Sequence, residues 1–236
     1  MQDSTLAYLI EIRKRLLKTA CFALLFFIPL FYKANDLFYL LAKPLLAHLH
    51  GPMIAISITA PLLVPIELAA KIACLLTTPY LLYQLWSFIN PALYHHETHM
   101  IRRLYAASIG LFILGLVFCY FIVLPLLFGF FTQATPENVQ LLPDISYYLS
   151  LTTGFFLLFG CTFQIPVIIY FLIQTNLVTR DQLKQARPYV IVASFTLGML
   201  FTPPDVLSQL LLAIPMCLLF ELGLFTSPNP KKNKLA

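Results

Sequence analysis

The side chains in this sequence that could do chemistry are mostly acids and histidines lying close to basic residues. Glu11 precedes Arg15 by four positions, the spacing at which an acid and a base meet on one helix face and add about 0.2 to 0.5 kcal/mol. By that reading Glu11 is a surface partner of Arg15, and Glu97 is a solvated loop acid near Arg102 and Arg103. The alternative is a receptor for a cationic partner, because a carboxylate at a membrane interface takes a guanidinium fork bidentately. Spacing alone leaves both readings open.

Other chemistries are excluded more firmly. His95, Glu97 and His99 resemble a ligand set, but Met100 stands where the pattern H-E-x-x-H needs its second histidine, so no metal site is expected. No G-x-S-x-G occurs, and Ser194 has no histidine within the apolar runs to act as its base, which argues against an intramembrane hydrolase. The spans hold neither histidines nor paired acids, so a built-in proton relay is not expected. Cys21, Cys74, Cys119, Cys161 and Cys217 each sit in an apolar run without C-x-x-C spacing and read as small buried hydrophobes. Gln164 is the strongly polar side chain near the middle of the fourth span. Its amide could serve the Thr162 carbonyl that Pro166 leaves without a donor.

The elements that position these residues follow from composition. Hydrophobic residues make up 60% of the 236 and charged residues 11%, far from the mixture of a soluble domain, so the chain is an all-α polytopic membrane protein. The net charge of +5 would suggest nucleic acid in a soluble protein; here its placement carries the meaning, and no nucleic-acid partner or cofactor is expected. Arg13-Lys14-Arg15 before an apolar run imitates a secretory signal, but no small-residue cleavage site follows near Lys33 to Asp36, and the run reads as a retained span.

In chain order, 5–18 predicts an interfacial amphipathic helix, with Leu6, Leu9, Ile10, Leu16 and Leu17 on one face and Tyr8, Glu11, Arg15 and Lys18 on the other. Spans follow at about 17–37, 66–89 and 104–128, with a fourth ending near Gln174. Residues 37–65, broken by Pro44, Gly51-Pro52, Pro61 and Pro65, are too interrupted to span, and 53–58 reads as extended. Thr179 to Gln182 forms a capping-box pattern before a short surface helix. Two last runs make a hairpin in which Thr202 caps the second run, Pro203 takes its first helical position and Asp205 completes the box. The first of these runs has about 13 residues, or roughly 20 Å against a hydrocarbon core of about 30 Å, and should thin the membrane locally.

Six apolar segments result, in one membrane domain over 1–226 with a basic tail at 227–236. Arg13, Lys14, Arg15, Lys18, Arg102, Arg103, Arg180, Lys184, Arg187, Lys231, Lys232 and Lys234 fall on one side, and Lys33, Lys43 and Lys71 on the other. By the positive-inside rule both termini are cytoplasmic.

Four stretches carry a family resemblance. They are Leu9-Ile10-Glu11-Ile12-Arg13-Lys14-Arg15-Leu16, then Trp86-Ser87-Phe88-Ile89-Asn90-Pro91-Ala92-Leu93-Tyr94 through Glu97, then Phe163-Gln164-Ile165-Pro166, and Leu200-Phe201-Thr202-Pro203-Pro204-Asp205 through to Pro215. In this order the chain resembles the TatC family, the large polytopic subunit of the twin-arginine protein translocase. The resemblance implies a non-enzymatic receptor with a six-span concave cup in the bacterial inner membrane. Its cytoplasmic face would receive twin-arginine signal peptides of folded precursors through Glu11, Arg13, Arg15, Phe88, Pro91, Leu93 and Glu97. It also implies TatA-type and TatB-type single-span partners, a homo-oligomer within the complex and drive from the transmembrane proton gradient. Pro44, Thr202, Pro203, Pro204 and Asp205 match its structural motifs. As the alternative to service within its own helix, the resemblance implies that Gln164 hydrogen-bonds a partner's single span, though it departs from the family, where that position is often Glu: hydrogen bonding survives the change, but a role needing a titratable carboxyl does not. The competing class is a stand-alone secondary transporter of small solutes, which would show an ordered midplane pocket at broken helices.

Overall fold

The computed structural model describes residues 2–46, 53–89, 98–133, 142–201 and 206–227. The helices are α1 (Gln2–Tyr32), α2 (Ala34–Leu46), α3 (Ala60–Ile89), α4 (Thr98–Phe118), α5 (Leu124–Gln133), α6 (Ile145–Thr162), α7 (Ile165–Gln174), α8 (Arg180–Gln185), α9 (Arg187–Phe201) and α10 (Val206–Thr226). The expected amphipathic helix and first span are one continuous α1. The segment after it is more regular than its prolines suggested, since α2 forms with Asp36 in its first turn and Lys43 in its last, each complementing the helix dipole. Pro44 falls inside α2. The expected extended stretch survives as a single parallel bridge of Ile54 with Asp144. Asp144 also accepts from Ile56 N at 3.1 Å and, as the cap of α6, from Tyr147 N at 3.2 Å.

Prolines explain where the helices change register. Cys119–Val123 is a π-helical turn between α4 and α5, in which Leu124 N donates to the Cys119 carbonyl. Pro125 follows at once, and the slip removes the carbonyl its ring would strike in an α-helix. The fourth span breaks at Phe163-Gln164, just before Pro166, and resumes as α7. α7 closes with a Schellman motif: Asn176, at φ 56°, donates its N–H to the Ile173 carbonyl, and Leu177 N–H reaches Leu172 O. The predicted capping box follows, with Gln182 N donating to Thr179 Oγ1 and Thr179 N to Gln182 Oε1.

The chain divides into two compact units. The first comprises Met1–Lys43, Gly51–Tyr105 and Leu142–Thr153; the second Pro44–His50, Ala106–Leu141 and Gly154–Ala236. In the first, α1 packs on α3, and the buried Tyr148 donates its hydroxyl to the Leu41 carbonyl at 2.6 Å. In the second, glycines set the helix spacing. A Cβ at Gly115 of α4 would stand 2.9 Å from the Phe159 carbonyl oxygen of α6, and one at Gly223 of α10 would stand 2.9 Å from Pro166 Cα at the start of α7. Ile169, Ile173, Phe220 and Leu224 form a buried cluster there. The α9–α10 hairpin has unequal arms of 15 and 21 residues, joined where Gln209 Nε2 donates to the Phe195 carbonyl at 2.9 Å.

Candidate functional site

Arg15, with Glu11 bound to it, turns toward α3, while the apolar residues one position away turn outward. Ile10, Leu16 and Leu17 are exposed, whereas the Arg15 side chain is only 22% exposed. That is the inverse of a soluble amphipathic helix and suits a helix whose outer solvent is lipid.

Arg15 is the hub of the cluster. Its Nε and Nη2 both donate to Glu11 Oε1, at 3.0 and 2.6 Å, and its Nη1 donates to the Gln84 carbonyl and to Gln84 Oε1, each at 3.1 Å. Its guanidinium carbon lies 5.8 Å from the centre of the Phe88 ring, within cation–π range. Gln84 Nε2 donates to Tyr80 Oη at 2.7 Å, and Tyr80 stacks on Phe22 of α1. The guanidinium is thereby spread over acceptors of its own chain, and it holds Glu11 by one oxygen. Glu11 Oε2 takes no hydrogen bond among the described residues, and the Glu11 side chain is 42% exposed. Arg13 is exposed beside it.

Of the residues expected at a receptor surface, the structure brings Glu11, Arg15 and Phe88 together on α1 and α3. Pro91, Leu93 and Glu97 lie outside the described residues, as do Thr202, Pro203, Pro204 and Asp205 of the hairpin turn. Sequence reasoning passed over Gln84 and Tyr80. Their signal was present, because Tyr80, Gln84 and Phe88 recur every four residues and so share a face of α3.

Gln164 does not serve its own helix in the way expected. Its Nε2 donates to the Ser108 carbonyl of α4 at 3.1 Å, not to Thr162, so its amide ties two spans of the same chain. Its Oε1 is buried and has no donor among the described residues, a cost of about 1 to 3 kcal/mol. The expectation of buried cysteines fails as well: only Cys119 is buried, while Cys21, Cys74 and Cys161 are exposed on helix surfaces. An apolar run facing lipid is exposed by this measure, and hydropathy alone does not separate that from a core position. Glu221 of α10 is ion-paired with α9, Arg187 Nη2 donating to its Oε2 at 2.7 Å. Among the described residues no three His, Cys, Asp or Glu side chains converge on a metal position.

Among the described residues five helical stretches are apolar and long enough to cross a bilayer, namely Ile10–Tyr32, Ala60–Phe88, Arg102–Gln133, Ile145–Gln174 and Ser208–Thr226, with Arg187–Phe201 as a shorter apolar helix. Together with a polar cluster on α1 and α3, they define a multi-pass helical membrane protein. Residues 7–215 match the family described as Sec-independent protein translocase protein (TatC), and the chain belongs to that family. It is 49% identical over 235 residues to the TatC protein of Haemophilus influenzae, covering 98% of this chain and 92% of that one. Against Escherichia coli K12 TatC it is 44% identical over 224 residues, covering 94% and 87%. Two crystal structures of the twin-arginine translocase receptor TatC superpose with TM-scores of 0.81 and 0.85, at 37% and 34% identity. They cover 92% and 94% of this chain, and 96% and 99% of their own.

Proposed function

We propose that this chain is the receptor subunit of a Sec-independent translocase, binding the twin-arginine signal peptides of folded precursors on a surface built by α1, α3 and the loop carrying Glu97. The observation that carries this reading is the half-engaged carboxylate of Glu11. Arg15 fixes one oxygen and leaves the other without a donor among the described residues, on a side chain 42% exposed, so an incoming guanidinium meets an anion whose rotamer is already set. Arg15, with its own donors committed to Glu11 and Gln84, acts as a positioning residue. Arg13, Phe88, Pro91 and Leu93 complete the surface as the family resemblance implies. The excess of basic residues on one side puts this surface and both termini in the cytoplasm, in a bacterial inner membrane.

TatA-type and TatB-type single-span subunits are the partners, within a complex that holds more than one copy of this chain and draws on the proton gradient. The donor-less Oε1 of Gln164 supports a contact with a partner span, because a donor delivered by that span would satisfy a buried acceptor. A solute transporter would need convergent polar groups at a broken span. At the break beside Gln164 the amide is instead bonded within its own chain.

Titrating purified protein with a twin-arginine peptide and its twin-lysine counterpart tests the receptor reading. Binding should favour arginine and vanish in Glu97→Lys, where an ammonium replaces the docking anion. Unchanged affinity in that variant would end the assignment.

A further inference from the structure

An open groove of about 490 Å³ runs along α1 beside Tyr80 of α3. Lys14, Lys18, Cys21 and Leu25 line it at spacings of four, three and four residues, which is a single helix face. Leu17 and Phe22 flank them. The two ends differ in chemistry. Lys14 and Lys18 form one end, both exposed and with no ion-pair partner among the described residues, since the nearby Glu11 is engaged by Arg15. The other end is apolar, with Leu25 66% exposed. From Lys14 to Leu25 the groove spans about 16 Å of helix, roughly half the hydrocarbon core of a bilayer.

From this arrangement we infer that the groove binds an anionic phospholipid, with its phosphate between the Lys14 and Lys18 ammonium groups and one acyl chain laid along Leu17, Cys21 and Leu25 beside the Tyr80 ring. Basic side chains at the interface above an apolar channel suit an anionic headgroup with its tail. A cationic signal peptide is the wrong occupant, because the two ammonium groups repel it, and a zwitterionic lipid offsets its phosphate with its own amine. The site is separate from the Glu11 oxygen left free for a guanidinium and does not depend on the receptor reading.

Native mass spectrometry of the full chain in detergent tests this, using phosphatidylglycerol and phosphatidylethanolamine with identical acyl chains. The wild type should retain phosphatidylglycerol about tenfold better. The double variant Lys14→Gln/Lys18→Gln should lose that preference, while Arg102→Gln/Arg103→Gln, which removes the same charge from exposed positions on α4, should keep it. Cys21→Trp, which fills the groove with both lysines intact, should also reduce retention. Equal loss in both double variants would reduce the effect to net charge and overturn the site. Equal retention of the two lipids, undiminished retention in Cys21→Trp, or displacement of phosphatidylglycerol by a twin-arginine peptide would overturn it too.

Discussion

The cluster around Arg15 and the amide of Gln164 use the same kind of bond in opposite settings. Arg15 is near the surface, distributes four hydrogen bonds over Glu11 and Gln84, and lies against an aromatic ring, so losing one contact leaves others in place. Gln164 is buried, makes one bond to the Ser108 carbonyl and leaves its oxygen without a donor. An exposed, shared network tolerates an incoming ligand because water and neighbours compensate what the ligand displaces. A buried, half-satisfied amide does not, and its missing donor marks where a partner would be felt most. Surface redundancy suits reversible peptide capture; a buried deficit suits a regulated contact with another helix.

The largest effect that would sharpen this contrast lies in the packing that surrounds the buried amide. In Gly115→Leu the new side chain meets the Phe159 carbonyl and the Phe163 ring, so thermal unfolding in detergent should show a loss of about 3 kcal/mol or more. Wild-type stability in this variant would mean that α4 and α6 are not held at glycine spacing. Next in size, Glu11→Lys should weaken twin-arginine peptide binding about tenfold. The loss should be smaller than in Glu97→Lys, because Arg15 already occupies one Glu11 oxygen. Isothermal titration of both variants against one peptide ranks them, and the reverse order would make Glu11 the primary anion.

Gln164→Leu is the smallest change. It removes one hydrogen bond together with one orphan acceptor, so stability should move by no more than about 1 kcal/mol and peptide affinity should not move. Crosslinking to the single-span partner should fall a few-fold, and Gln164→Glu should retain it. Unaltered crosslinking in the Leu variant would show that the amide serves only the tie to Ser108.

Local features of this fold were legible in the sequence, and long-range ones were not. The Thr179 capping box and the Glu11–Arg15 pair were readable because each closes within about one helical turn. Gln84, the second partner of Arg15, lies 69 residues away and the partner of Gln164 lies 56 away, distances that no periodicity encodes. α2 is hidden in the sequence because Pro44, Gly51 and Pro52 read as breaks through the whole segment. In fact Asp36 and Lys43 stabilise the ends of a helix that contains Pro44. The cysteines were misjudged for a different reason: in a membrane both the core and the outer face are apolar, so an apolar position no longer implies burial. The family motifs were legible through resemblance. How Arg15 shares its donors between Glu11 and Gln84 appears only in the folded chain.

The expected docking place of the twin-arginine motif is the α1–α3 surface around Glu11. Site-specific photocrosslinking tests it most directly, with a photoreactive residue placed at Arg13, Phe88 or, as a control, the exposed Ile113 of α4. A twin-arginine peptide should crosslink from positions 13 and 88, be competed by unlabelled peptide and not by its twin-lysine form, and leave position 113 unmarked. Equal labelling at all three positions, or labelling at 113 alone, would contradict the account.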